Sequence, residues 1–375
     1  MKTLVSIQYL RGLAALAVVV YHVLQWRHGG FETGRAGVDV FFIISGLIMW
    51  RITARERPFR HGANKSAAPP SPLCGAGGIL TRDAGEGDHE VVEGAQGRVT
   101  TGAFLWRRLT RVAPAYWLAT LTVGAVALAW PRFLVHVRPT WPHLALSLAF
   151  IPHNDPEGLP FPLLAPGWTL NYEAVFYLVF AAGLAVRESR RLWLVTGALA
   201  AIAAAGFAYH PAYTLGANPM MLQFAAGVWL GKLAGDKALP GRAWGAGLLL
   251  GGLAIFTGFV ITGYVNELWR PLIWGVPALM IVAGAVSLEA SGAMVNWPPL
   301  KSLGDASYSL YLWHVPVVAL VAHGFAEGRS WLFLPAAVTA AVFAGLASRA
   351  LVEKPALALL RRGGSRVGGN LIGAR

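Results

Sequence analysis

The sequence predicts an all-α protein that crosses a membrane several times, because it is rich in apolar residues, poor in charge and built from long apolar segments. Of its 375 residues, 55% are hydrophobic and 13% are charged. A typical soluble domain is about 45–50% apolar and about 25% charged. So few charges cannot cover the surface of a water-soluble protein of this size. A soluble globular enzyme is therefore largely excluded.

About ten segments are apolar enough to form transmembrane helices, each of which needs about 20 residues. The stretch 143–151 is shorter and predicts a re-entrant or interfacial segment. Glu353-Lys354-Pro355 is expected to end the last span, because the residue before a proline disfavours the helical conformation. The ten predicted spans are 7–25, 37–52, 104–130, 168–186, 191–208, 217–233, 243–263, 271–288, 303–323 and 331–350.

The distribution of basic residues predicts that both termini lie in the cytoplasm. With ten spans and cytoplasmic termini, 25 of the 31 Lys and Arg residues fall in inner regions, as the positive-inside rule requires. Counting 143–151 as a further span would move the basic segment 187–191 to the outside. The formal net charge of +13 is explained in this way, without a nucleic-acid partner.

The predicted organisation is one membrane domain, 1–355, with one inserted loop and a basic tail. Residues 53–103 are rich in Gly, Ala, Pro and charge without a hydrophobic period, which predicts a poorly ordered cytoplasmic loop. Residues 356–375 are expected to form a cytoplasmic tail. No metal-binding spacing, nucleophile elbow or nucleotide-binding glycine loop occurs in the sequence, so we expect no metal.

Ionisable residues inside predicted spans are costly and therefore mark candidate functional positions. Arg11 and His22 lie eleven residues apart in the first span, which is close to three helical turns and roughly 16 Å. The two side chains should share one polar face, with Arg11 near the cytoplasm and His22 near the outer side. Asp39 begins the second span at the depth of His22, where it could orient the imidazole or serve as a first-turn acid. Ser45-Gly46 is expected to let helices pack closely.

Two arginines at the start of the third span predict an anion site. Arg108 and Arg111 are three residues apart and thus neighbours on one helix face. Paired guanidinium groups can grip phosphate oxygens through bidentate hydrogen bonds. The alternative is a topology signal that touches anionic lipid.

Polar and aromatic residues near the fourth span suggest a surface for a hydroxyl-rich ligand. Trp168, Asn171, Tyr172 and Glu173 combine aromatic faces with a carboxylate, although an interfacial aromatic belt would also explain Trp168. His314 falls in the middle of the ninth span. It could contact substrate, or it could be bonded between helices.

Together these segments resemble the acyltransferase-3 family of integral-membrane O-acyltransferases, and they are closest to its exopolysaccharide-production branch. The resemblance covers roughly residues 5–355, and the insertion 53–103 departs from it. The segments that carry it are Ile7-Gln8-Tyr9-Leu10-Arg11-Gly12-Leu13-Ala14-Ala15 with Tyr21-His22, Gly37-Val38-Asp39-Val40-Phe41-Phe42 with Ser45-Gly46, Arg108 with Arg111, Trp168-Thr169-Leu170 with Glu173, and Ser307-Tyr308-Ser309-Leu310-Tyr311-Leu312 with His314.

The resemblance implies a ten-helix domain in the bacterial plasma (inner) membrane. It implies that an acyl group, which we expect to be acetyl, passes from cytoplasmic acetyl-CoA to a hydroxyl of a polysaccharide or a lipid-linked oligosaccharide. It also implies that His22 is the catalytic histidine and that Arg108 and Arg111 belong to the donor end. The partners expected are this acceptor, the acyl-CoA and membrane lipid, while self-association into a homo-oligomer is left open.

The expected mechanism is proton removal from the acceptor hydroxyl by His22 as general base, while a covalent acyl-histidine stays open as a second route. A flippase for a sugar-linked lipid and a non-catalytic assembly subunit remain alternatives. The expected site comprises His22, Asp39 and Glu173 for catalysis, Arg11, Arg108 and Arg111 for the donor, and Trp168, Asn171, Tyr172 and His314 for the acceptor.

Overall fold

The structure is a computed structural model that describes residues 4–28, 36–54, 100–131, 133–134, 137–209, 218–263, 266, 269–325 and 331–360. The described residues form helices joined by short connections and include no strand, which confirms the all-α fold class. The predictions for most of the 53–103 loop, and for the tail beyond residue 360, lie outside the described residues.

Thirteen α-helices make up the described part of the chain, and a π-helical turn, Arg349–Glu353, follows the last of them. The helices are α1 Val5–His28, α2 Gly37–Thr53, α3 Thr101–Ala129, α4 Trp141–Leu148, α5 Trp168–Gly183, α6 Glu188–Ala208, α7 Met221–Gly235, α8 Arg242–Thr262, α9 Arg270–Ile273, α10 Gly275–Ala290, α11 Pro298–Asp305, α12 Ser307–Gly324 and α13 Phe333–Ser348.

Six helical segments of the described chain are long and apolar enough to cross a membrane, which confirms a multi-pass membrane protein. The other four predicted spans correspond to α2, α5, α7 and α12, which have 15 to 18 residues. The total of ten spans and the side on which the termini lie remain predictions. The six segments are Val5–Trp26, Thr101–Ala129, Glu188–Ala208, Arg242–Thr262, Arg270–Ala290 and Phe333–Leu360.

Two predicted boundaries differ from the structure. The span expected over 303–323 is divided at Ala306, where α11 ends and α12 begins. The last span does not end before Pro355, because the helix continues to Leu360. The π-helical turn comes immediately before this proline, and its wider backbone relieves the clash between the pyrrolidine ring and the preceding turn.

Close helix contacts hold the centre of the bundle together. A Cβ atom on Gly46 of α2 would overlap the backbone oxygen of Phe224 in α7, and one on Gly227 would overlap that of Ile43. This confirms that Gly46 lets two helices approach, as small residues do in membranes. Next to it the rings of Phe42, Phe224 and Phe176 stack with centroid separations of 4.4 Å.

The segment predicted as re-entrant or interfacial begins as the eight-residue helix α4, which is too short to cross a bilayer. It is held against α3 by two hydrogen bonds. The hydroxyl of Tyr116 donates to the carbonyl of Ser147 at 3.2 Å, and the indole of Trp117 donates to that of Leu148 at 2.8 Å.

Candidate active site

A cavity opens between α1, α2, α3, α5 and the start of α12. Its volume is about 230 Å³. All three arginines predicted to bind the donor, Arg11, Arg108 and Arg111, line it together with Glu173. The fold therefore brings together side chains from α1, α3 and α5 that are up to 162 positions apart in the sequence.

The cavity has a strongly basic lining. Arg51, in the last turn of α2, adds a fourth guanidinium group that was not among the predicted donor-binding residues. Arg108 is 4% exposed and its guanidinium carbon lies 5.9 Å from the ring centre of Phe104. Among the described lining residues Glu173 alone is acidic. Such a surface favours an anionic ligand.

Glu173 is fixed by two hydroxyl groups from the walls of the cavity. Ser45 donates to its Oε1 atom at 2.9 Å, and Tyr177 donates to the same oxygen at 2.6 Å. Hydrogen bonds to a carboxylate are stronger than those between neutral groups. The two bonds therefore hold the carboxylate in one orientation at the side of the cavity.

The aromatic residues expected beside Glu173 face elsewhere. Thr169, Glu173 and Tyr177 follow one another at four-residue spacing and line the cavity. Trp168 and Tyr172 share an adjacent face, where their ring centres are 5.7 Å apart.

Neither of those two aromatic residues, nor Asn171, is among the described residues that line the cavity. Asn171 is 4% exposed, and the hydroxyl of Tyr172 accepts a hydrogen bond from Asn218 at 3.3 Å. These three side chains are therefore not part of the surface that carries Glu173.

His22 and His314 form a pair of adjacent imidazoles. Their ring centres are 4.9 Å apart with a tilt of 41°. The Nδ1 atom of His314 lies 2.6 Å from the carbonyl oxygen of Tyr311. Because a carbonyl can only accept, Nδ1 carries the proton and Nε2 of the neutral ring is an acceptor. In the described part of the chain this buried Nε2 has no hydrogen-bond partner.

An aromatic wall separates this histidine pair from the cavity. Phe41 and Tyr311 both line the cavity, and their ring centres are 6.0 Å apart. The ring centre of Tyr311 also lies 5.6 Å from that of His314, and the hydroxyl of Tyr311 accepts a hydrogen bond from Thr169 at 3.2 Å. Neither histidine is among the described residues that line the cavity. The basic cavity thus ends one ring short of the imidazoles.

Asp39 lies in the first turn of α2, as predicted, and is completely buried. Its carboxylate is engaged by Arg270, with one N–O distance of 3.0 Å and a second of 3.4 Å. Gln223 also donates to it. Arg270 was not among the predicted site residues, because no local pattern in a sequence can reveal a partner 231 residues away.

Within the described residues, no group of three or more His, Cys, Asp or Glu side chains is arranged to hold a metal ion.

Comparison with known proteins agrees with this membrane architecture. A family model described as "Acyltransferase domain" matches residues 4–349. The exopolysaccharide production protein ExoZ of Rhizobium meliloti (strain 1021) is 34% identical over 361 residues, which cover 93% of this chain and 96% of ExoZ. No solved structure matches the chain.

A more distant relative is the peptidoglycan O-acetyltransferase OatA of Listeria monocytogenes serovar 1/2a (strain ATCC BAA-679 / EGD-e). It is 25% identical over 354 residues, which cover 85% of this chain and 50% of OatA. The chain therefore spans about half the length of that protein. From the family match over residues 4–349 and the near full-length similarity to ExoZ, the chain belongs to the acyltransferase-3 family of integral-membrane O-acyltransferases.

Proposed function

We propose that the protein transfers an acetyl group from cytoplasmic acetyl-CoA to a hydroxyl of an exported or surface polysaccharide, or of its lipid-linked precursor, in a bacterial inner membrane. The observation that carries this proposal is the basic cavity that ends one aromatic ring from two adjacent imidazoles. The similarity to ExoZ and OatA, named as an exopolysaccharide production protein and an O-acetyltransferase, supports the acceptor class and the reaction.

The donor end of the proposed reaction is the arginine-lined part of the cavity. Coenzyme A carries a diphosphate and a further phosphate, and guanidinium groups bind such oxygens through paired hydrogen bonds. Arg108 and Arg111 present two of these groups from one face of α3, and Arg11 and Arg51 add two more. The phosphates would remain there while the acyl-bearing arm extends along α1 towards His22.

Transfer requires the thioester to reach His22 past the aromatic wall. We propose that Tyr311 turns aside, breaking its hydrogen bond to Thr169, when donor and acceptor are both bound. His22 then takes the hydroxyl proton as the oxygen attacks the thioester carbonyl, and the thiolate leaves as the carbonyl re-forms. The buried Nε2 atom of His314 lies on the ring next to His22, and we propose that it accepts a hydrogen bond from a second hydroxyl of the acceptor. Attack by His22 itself, giving an acyl-histidine, is the second route.

The two predicted catalytic carboxylates would have different roles. Glu173 faces the donor cavity with its Oε1 atom already occupied by Ser45 and Tyr177, and we propose that it positions the donor arm. Asp39 is bound by Arg270, and we propose that it fixes the first turn of α2. Acceptor binding by Trp168, Asn171 and Tyr172 would occur outside the cavity.

The experiment that tests this function compares the surface polysaccharide of cells with and without the gene by NMR. Loss of acetyl signals from an otherwise unchanged polysaccharide, restored by the wild-type gene but not by His22→Ala, is the expected result. A reduced amount of polysaccharide, with acetyl esters intact on what remains, would contradict it and favour a flippase or an assembly subunit.

A further inference from the structure

Gln8 and Ser307 each place a buried polar atom without a hydrogen-bond partner in the described lining of the cavity. Gln8 is 4% exposed and Ser307 is 0% exposed. The Oε1 atom of Gln8 and the hydroxyl of Ser307 have no partner within the described ranges of the chain. Both residues line the cavity that contains the arginines. Because a buried polar group without a partner is costly, these two atoms are candidates for contact with a bound molecule.

The backbone places the two side chains at the same end of the cavity. Gln8 and Arg11 lie three residues apart on α1 and share a helix face. The end of α11 packs directly on this part of α1, since a Cβ atom on Gly304 would overlap the backbone oxygen of Gln8. Ser307 begins α12 one turn later. The hydroxyl of Tyr308, the next residue, donates to the carbonyl of Val112 at 2.7 Å, directly after Arg111 on α3.

The chemistry of these atoms differs from that of the arginines around them. Guanidinium groups only donate hydrogen bonds, and so they suit phosphate oxygens. The Oε1 atom of Gln8 only accepts, and thus it cannot bind an ionised phosphate. A hydroxyl such as that of Ser307 can do either. A ligand that satisfies the whole cluster must offer an N–H or O–H group close to its phosphates.

We infer that Gln8 and Ser307 form a hydrogen-bonding subsite beside the arginines, for a donor whose carrier presents an N–H or O–H group next to its phosphates. The inference rests on the proposed use of acetyl-CoA. It adds residues that recognise hydrogen-bond donors of the ligand, in addition to the arginines that recognise its negative charge. Coenzyme A has two sources of such groups. One is the adenosine with its amine and hydroxyl, and the other is the pantetheine arm with its hydroxyl and amides.

The test measures dissociation constants with the purified full-length protein in lipid nanodiscs. The probes are coenzyme A, 3′-phosphoadenosine 5′-phosphate, 4′-phosphopantetheine and inorganic pyrophosphate, which carries negative charge but no N–H group. The variants are Gln8→Met and Ser307→Ala. The control is Ser309→Ala, because the hydroxyl of Ser309 lies on the same helix but donates to Glu353 at 2.8 Å and does not line the cavity.

Each subsite variant should raise the dissociation constant of coenzyme A about three- to tenfold, which is the usual effect of losing one neutral hydrogen bond. Pyrophosphate binding and the control variant should stay within twofold of wild type. If the variants also weaken the binding of 3′-phosphoadenosine 5′-phosphate, the contacted group belongs to adenosine. If they instead weaken the binding of 4′-phosphopantetheine, it belongs to the pantetheine arm. If Gln8→Met does not fold, Ser307→Ala decides the outcome.

The inference is overturned if both folded variants bind coenzyme A as wild type does. It is also overturned if the variants lose as much affinity for pyrophosphate as for coenzyme A. A wild-type protein that binds no coenzyme A would contradict the proposed donor itself. That result is distinguishable from the other two, because it appears before any substitution is made.

Discussion

The buried pair of Asp39 and Arg270 gives the sharpest stability prediction. Asp39 is completely buried and Arg270 is 4% exposed, and two nitrogen atoms of the guanidinium contact the carboxylate. Replacing Arg270 by Leu leaves a buried carboxylate without its counter-charge. Removal of one partner from such a pair costs about 3–5 kcal/mol.

The size of this loss of stability follows from the burial of the carboxylate, and not only from the attraction between Asp39 and Arg270. The Asp39→Leu/Arg270→Leu double variant removes both charges and leaves only apolar side chains at the two positions. Such replacements are often neutral or stabilising. The double variant should therefore be more stable than Arg270→Leu, although it has lost more hydrogen bonds.

The assay is thermal unfolding in detergent, followed by the loss of soluble monomer. The melting temperature of Arg270→Leu should fall by at least about 5 °C, and that of the double variant should recover most of the loss. An Arg270→Leu protein as stable as wild type would refute the reasoning. An Asp39→Asn protein that is fully folded but inactive would show instead that the carboxylate acts on the reaction.

Three further predictions concern packing, the site and pH. Gly46→Ala should destabilise the protein at the α2–α7 contact by about 1–3 kcal/mol. The control Gly197→Ala has nothing within 4 Å of the added Cβ and should not destabilise the protein. Equal melting temperatures of the two variants would count against close packing at Gly46. Tyr177→Phe removes one hydrogen bond from Glu173 and should lower kcat/KM for acetyl-CoA about tenfold or more without loss of folded protein, and unchanged kinetics would exclude a role for that bond. Burial and the nearby His153 lower the pKa of His143, although Asp155 opposes the shift. Because the unfolded form therefore binds a proton more readily than the folded form, the stability around α4 should be lost as the pH falls through about 6.5. Hydrogen exchange in α4, corrected for intrinsic rates, should be faster at pH 5.5 than at pH 7.5, and identical protection at the two values would contradict this.

The length and apolar content of segments were sufficient to predict most of the helices, since the apolar segments that fill a membrane are local features of a sequence. They failed where tertiary contacts decide a boundary. The break at Ala306 comes two residues after Gly304, which packs closely against α1, and nothing in the neighbouring residues signals that contact. The helix through Pro355 depends on a π turn that a proline rule does not anticipate.

The candidate site was partly accessible to sequence reasoning. Arg11, Arg108, Arg111 and Glu173 do line one cavity, because charges inside apolar spans stand out in a sequence. Arg51 could have been found by the same criterion, since it ends a predicted span. Tyr177 lies one helical turn after Glu173 and was accessible from helical spacing. Ser45 and Arg270 could not be found, because they depend on which helices become neighbours.

The most direct test of the central claim is acetyl transfer from labelled acetyl-CoA in inverted membrane vesicles that contain the protein and its native acceptor. The comparison is between wild type, His22→Ala and His323→Ala. His323 is a matched control, because its ring lies on α12 near Phe133 and its Nδ1 donates to its own helix. The account predicts transfer by wild type and His323→Ala, and none by a fully inserted His22→Ala protein. Transfer at the wild-type rate by His22→Ala would contradict it.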